Sequence, residues 1–353
     1  MTLAKHLLLA ATLSTALIAP PALAQQTDFK VAWSIYVGWM PWGYAADAGI
    51  VDKWAEKYGI TIEVTQFNDY VESMNQFTAG AYDAVTLTNM DGLSIPAAGG
   101  VDTTAVIVGD FSAGNDAVIL KGETNLAAIA GQNVNLVEFS VSHYLLARAL
   151  DSVGLTERDV SVVNTADPDM VGAFQTADVT AMATWNPMVS EIAALPDANK
   201  VFDSAQIPGE IIDLMVAKTE ALEANPDFGK ALAGIWYETM ALMTADTPEG
   251  AEARAAMGAA SGTDQAGFEA QLAATELFAE AADAVAFVTS PDLQTTMDRV
   301  RTFLFEKGLL GSGAPSVDVI GIELPDGTVL GDSANIKFRF TAEYMQAAAD
   351  GAL

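Results

Sequence analysis

No cysteine occurs anywhere in the 353 residues. That excludes a disulfide framework, a thiolate metal site, a cysteine nucleophile and a lipid anchor on a signal-segment cysteine. Histidine is nearly as scarce. Only His6 and His143 are present, so a histidine-rich zinc site is excluded and a Ser-His-Asp triad has one candidate histidine in the body of the chain. Positive charge is thin as well: 16 Lys and Arg stand against 46 Asp and Glu, a formal net charge of -30. Such a balance opposes binding to nucleic acid or to an anionic membrane surface. A nucleophile elbow, a phosphate loop, a metal-ligand spacing and a GxGxxG after a strand are all missing.

Apolar residues are plentiful, at 51% of the chain, enough for a sizeable core and, at this length, for about two domains. Met1 to Ala24 carries one Lys, the run LLLAATLSTALIA, and ALA before Gln25. This is the layout of a cleaved secretory signal, and its apolar run is too short for a membrane span. A soluble periplasmic protein, without stable membrane anchoring, is the expectation.

The densest feature is Val31 to Val51, VAWSIYVGWMPWGYAADAGIV, where Trp33, Trp39, Trp42, Tyr36 and Tyr44 crowd one turn. FKVAW before it alternates like a strand, and AADAGIVDKWAEKYG after it has helical spacing, so VGWMPWG is a strand-to-helix loop. In an open α/β sheet such loops sit at the carboxyl ends of strands, where ligands bind, and aromatics there can wall a small polar or cationic ligand. The alternation continues through ITIEVTQFND, ending in Asn68 and Asp69, through DAVTLTNMDG with Thr88, Asn89 and Asp91, and through TAVIVGD with Asp110. A second βα series of about one hundred residues follows. It includes EFSVSHYLLARAL, in which Ser140 or Ser142 can cap a helix whose free N–H groups face a cleft, with Glu138 and His143 beside it. IIDLMVAK reads as a returning strand, and residues 225–308 read as helical. The expected fold is therefore α/β and two-lobed, with two parallel-rich sheets and flanking helices. Residues 25–115 with 215–353 form one lobe and 116–214 the other, hinged on two crossing strands near 110–120 and 208–216.

Taken in order, the aromatic first loop, DAVTLTNMDG, EFSVSHYLLARAL, TWNP, PGEIIDLMVA and GDSANIKFRFTAEY resemble the periplasmic solute-binding proteins of ATP-driven importers. The resemblance is to the branch that handles nitrate, taurine, alkanesulfonates and thiamine-precursor pyrimidines, and spans Phe29 to about Tyr344. Within the branch the chain is similar to a subgroup linked with urea carboxylase systems, whose cargo is urea or a relative such as guanidine. The resemblance implies a type II-like binding fold, no enzymatic activity, no cofactor or metal, and a monomer that closes on a small ligand and meets a membrane permease with its ATPase. It places ligand contacts at Tyr36, Trp39 and Trp42, at Thr88, Asn89 and Asp91, at Glu138, Ser140 and His143, and at Trp185 and Glu210.

Charge sets this chain apart from anion-binding members of that branch. No Lys or Arg occurs in 58–120, 122–147 or 159–199, so every candidate site loop lacks a basic side chain, while Asp69, Asp91, Asp110, Glu138 and Glu210 are expected nearby. A cation, guanidinium or a substituted guanidine first, or a neutral amide such as urea second, is favoured over nitrate or a sulfonate. Two rival functions remain open: an enzyme using paired carboxylates such as Asp91 with Glu138, and a receptor serving a chemosensor.

Overall fold

The computed structural model describes residues 25–311 and 313–353; the expected signal segment 1–24 lies outside them. Among the described residues, fourteen strands fall into two sheets. In chain order β1 (Asp28–Ser34), β2 (Thr61–Phe67), β3 (Ala84–Thr88) and β4 (Thr103–Ser112) begin the larger sheet. Next β5 (Ala117–Lys121), β6 (Asn133–Leu136), β7 (Ser161–Asn164), β8 (Ala181–Thr184) and β9 (Ala198–Asp203) make the smaller one. The chain then returns through β10 (Ile212–Lys218) and adds β11 (Thr275–Leu277), β12 (Gly321–Glu323), β13 (Val329–Leu330) and β14 (Ile336–Phe340) to the first. The larger sheet runs β13-β12-β14-β4-β10-β3-β1-β2, with β11 on β4, and the smaller runs β7-β6-β8-β5-β9.

Burial follows position in the sheet. β3 (AVTLT) is buried at every residue and β10 (IDLMVAK) at all but its last, as central strands must be. β2, at an edge, keeps polar residues outward in alternation. The expected parallel runs are present, β1 with β2 and β3, and β6 with β7 and β8. Both sheets are nevertheless mixed rather than parallel-rich. β10 is antiparallel to β3 and β4, and β5 is antiparallel to β8 and β9, because the strands that carry the chain between sheets enter against their neighbours. The span 225–308 is not wholly helical either: β11 interrupts it, three residues being too few to show a period of two.

This topology brings four strand ends to one rim of the larger sheet, namely the carboxyl ends of β1, β3 and β4 and the amino end of the reversed β10. The smaller sheet offers the carboxyl ends of β6 and β8 and the amino end of β5. Ligands of open α/β sheets bind at such rims, and here the two rims meet.

Candidate functional site

Four aromatic rings from both lobes form one continuous wall. The Tyr36 and Trp39 ring centroids are 5.1 Å apart, Trp39 and Tyr70 5.5 Å, and Tyr70 and Trp185 5.7 Å. Tyr36 and Trp39 come from the loop after β1, Tyr70 opens the helix Tyr70–Thr78, and Trp185 follows β8. They enclose a cavity with Thr88, Val141, Ile211, Asp116 and Asp213, and none of these nine lining residues is basic. The cavity is about 10 Å³, the space swept by the centre of one water-sized sphere. A space of that size holds no organic solute. The indole Nε1 of Trp39 is buried and has no hydrogen-bond partner, leaving one donor unused at the wall.

Carboxyl groups crowd the same place. Asp213 stands opposite Asp110 in the β4–β10 ladder, close enough for one carboxyl to hydrogen-bond the other, and both are buried. Burial first, and then neighbouring carboxylates, push the Asp213 pKa well up; burial does the same to Asp110. Like charges directly opposite repel, so the doubly ionised form of this pair is disfavoured. The Tyr36 hydroxyl donates to Asp110 Oδ1 at 3.0 Å. Gly38 makes room for this arrangement, since a Cβ there would lie 2.4 Å from Asp110 Oδ2 and 2.5 Å from the Tyr36 ring. Asp116 is pushed up to about 7 by burial. Beyond the lining, Asp167 accepts from the Tyr70 N–H at 3.2 Å and is also raised to about 7, chiefly by burial and then by Asp69. Among the described residues no group of three or more His, Cys, Asp or Glu is arranged to hold a metal ion.

The thirteen residues singled out in the sequence thus divide. Tyr36, Trp39, Thr88 and Trp185 line the cavity. Asp91 and Asp110 lie just behind it, Asp91 taking hydrogen bonds from Tyr70 and Thr88. Trp42 is not part of the wall; it stacks on Trp236 at 5.7 Å and is 1% exposed, a core residue. Asp69 caps the helix Tyr70–Thr78 by accepting from the Glu72 N–H, and Ser140 caps Val141–Ser152 by accepting from the Ser142 N–H. Asn89 ties the returning crossing, donating to the Glu210 carbonyl and accepting from the Ile212 N–H. His143 accepts from the Phe139 N–H on Nδ1 and turns Nε2 to Glu157 at 3.1 Å, away from the cavity. Glu138 is half-exposed and outside the lining, so the acid pair Asp91 with Glu138 is not assembled.

Glu210 needs a correction of charge. It was expected in a neighbourhood without basic residues, yet Arg148 Nε meets it at 2.8 Å, the Tyr144 hydroxyl at 2.6 Å, and Arg299 also pairs with it. Tyr144 and Arg148 belong to the helix Val141–Ser152 of the smaller-sheet lobe and Arg299 to Pro291–Glu306 of the other, so Glu210 joins the lobes as a structural ion. Glu210→Gln should lower stability by ~1–3 kcal/mol, below the range for a fully buried pair because both arginines keep partial exposure. Thermal melting checks this; an unchanged melting temperature would return the network to surface decoration.

Five lining residues escaped the sequence reading, the apolar Val141 and Ile211 and three polar ones. Tyr70 opens a helix of ordinary composition, Asp116 directly precedes β5, and Asp213 is the single acid in the otherwise apolar run IIDLMVA. Only the last carried a signal: an acid inside a buried strand needs a partner or a purpose.

Comparison with known proteins agrees with this architecture. Over 187 residues, 52% of this chain and 57% of the relative, the chain is 22% identical to the taurine-binding periplasmic protein of Escherichia coli (strain K12); the match thus spans little more than half of that protein's length. Its structure superposes on the alkanesulfonate-binding protein SsuA of Xanthomonas axonopodis pv. citri bound to MOPS with a TM-score of 0.67 at 15% identity, covering 84% of this chain and 96% of that one. The periplasmic aliphatic sulphonate binding protein SsuA of Escherichia coli gives 0.64 at 16% identity, covering 80% and 88%. These likenesses establish the two-sheet binding-protein fold. The sequence pattern of the NMT1-like family matches residues 32–261, well over half of the chain, from the first strand through the whole smaller sheet and into the C-terminal helices: the chain belongs to the NMT1-like family.

Proposed function

We propose that this chain is the periplasmic solute-binding component of an ATP-driven importer, and that its cargo is a small cation, guanidinium or a substituted guanidine first, with urea or a small amide second. The lobes close on the solute about the paired crossings and present it to a membrane permease; the chain performs no chemistry on it. One observation carries the choice of cargo. Asp116 and Asp213 line a cavity walled by Tyr36, Trp39, Tyr70 and Trp185 without a basic side chain. Guanidinium is flat, permanently charged and rich in donors, so it suits carboxylates beside aromatic faces. An anion at about 4 Å from one such carboxylate is opposed by ~4 kcal/mol at an effective dielectric of ~20. The motif resemblance to the subgroup linked with urea carboxylase systems, read from sequence, would imply the same nitrogen-rich cargo. The taurine and sulfonate named for the relatives are the competing reading, favoured by kinship.

A thermal-shift and calorimetry panel of guanidinium, methylguanidine, urea, nitrate and taurine at fixed ionic strength separates these. A true ligand at one hundred times its dissociation constant adds about 2.7 kcal/mol, several degrees of melting temperature in a chain of this size. Guanidinium should act far below denaturing concentration and be recovered unchanged. Tight binding of taurine or nitrate, with no response to guanidinium or urea, would sink the proposal.

A further inference from the structure

The helix Val141–Ser152 aims its amino terminus from the smaller-sheet lobe into the cleft, and what meets it there is a carboxylate of the chain itself. Val141, the first residue of that helix, donates its N–H to Asp91 Oδ2 at 3.3 Å. Asp91 belongs to the opposite lobe, on the turn after β3, so the contact crosses the closed cleft. The carboxylate is fixed in place from its own side, because the Tyr70 hydroxyl donates to the same Oδ2 at 2.8 Å and the Thr88 hydroxyl at 2.9 Å. Two further atoms point to a ligand-type site. Asp91 Oδ1 is buried without a partner, and so is Ser142 Oγ in the first turn of the helix. Ser140 already takes the Ser142 and His143 N–H groups, so the Val141 N–H and the helix dipole are what this terminus offers an anion.

We infer that Asp91 is a tethered anion that fills an anion subsite at the amino terminus of Val141–Ser152 when the lobes close, and that this occupancy bars anionic solutes and sets the cleft's preference for cations. The inference rests on the proposed ligand cleft, and it adds the device that excludes the wrong charge. A solute oxyanion could reach the Val141 N–H only by displacing a carboxylate held by two hydroxyls. A cation meets no such competitor, and the unpartnered Asp91 Oδ1 remains as an acceptor on the same carboxylate.

Asp91→Ala empties the subsite. The test is saturable stabilisation by formate and by nitrate, followed by thermal melting and calorimetry at pH 7.5 and fixed ionic strength in wild type and variant. The wild type should show no saturable response; the variant should bind formate and nitrate at least about tenfold more tightly than any wild-type response, an effect of the size an anion contributes at a partly buried helix terminus. Asp91→Ser, which keeps a hydroxyl for Tyr70 and Thr88, serves in the same way if the alanine chain does not fold. A folded variant that responds to both anions no more than wild type overturns the inference. Failure of the cation reading shows elsewhere, as a wild type that binds no cation in the solute panel, whatever the variant does with formate.

Discussion

Asp213→Asn should weaken binding of guanidinium about thirtyfold to several thousandfold, while leaving the ligand-free chain as stable as before or more so. Truncating one partner of a desolvated, hydrogen-bonded charge pair costs ~2–5 kcal/mol of affinity. Loss of an aromatic face toward a cation costs ~0.5–2 kcal/mol, a two- to thirtyfold effect, so Trp39→Ala should be the milder change. The stability half of the expectation follows from the ladder: Asp213 faces Asp110 with Asp116 nearby, and their mutual repulsion raises the Asp213 pKa on top of burial. An amide at 213 removes that repulsion and can still donate to Asp110. Calorimetry at pH 8 and melting of the free chain read the two effects separately. An affinity within about threefold of wild type would remove Asp213 from ligand recognition, and a large fall in melting temperature would make it a structural residue instead.

Most of the fold was legible because burial in this chain follows strand period and turn chemistry. β1 through β8 coincide with alternating or continuous apolar runs bounded by Gly, Asn and Asp. β9, β11, β12 and β13 were not, since each is short or sits at an edge where side chains decide little; β14 (IKFRF) lies between β12 and β4, and its alternation went unread. The aromatic loop was correctly placed on a rim, yet its members split: Tyr36 and Trp39 face the cavity and Trp42 turns to Trp236 in the core. Sequence spacing cannot make that division, because it depends on which face of the helix Met40–Asp47 packs against Asp227–Thr244. Glu210 is the clearest case of what spacing hides. Its arginine partners lie 62 and 89 residues away, so a stretch free of basic residues in sequence is not one in space. Asp116 and Asp213 went unnoticed for a related reason, that they enter the cleft only because β5 and β10 run against their neighbours.

The sign of the pH dependence should identify the charge of the cargo. Burial raises the Asp116 and Asp167 carboxyls to about 7 and Asp91 to about 6, from an ordinary value of 3.8, and Asp110 and Asp213 are also held up. An acid whose pKa is higher folded than unfolded keeps a proton that the unfolded chain has lost between about pH 4 and pH 7. Stability from these groups is therefore full at the acid end of that window and declines as pH rises through the folded value. Going from pH 8 to pH 6, each group near 7 should add ~1.4 kcal/mol, so the ligand-free melting temperature should climb by several degrees on mild acidification. Binding of a cation should move the opposite way. It needs carboxylates in their charged form, so each proton expelled on binding makes affinity fall about tenfold per pH unit once the site is protonated. Calorimetry in two buffers of different ionisation enthalpy counts those protons directly. An anionic cargo reverses the sign, binding more tightly at pH 6 with protons taken up. A neutral amide that accepts from a protonated carboxyl and donates to its neighbour would leave affinity nearly flat. A melting temperature that falls from pH 8 to pH 6, together with guanidinium affinity indifferent to pH, would mean that the buried carboxyls neither hold protons in the closed chain nor face the ligand.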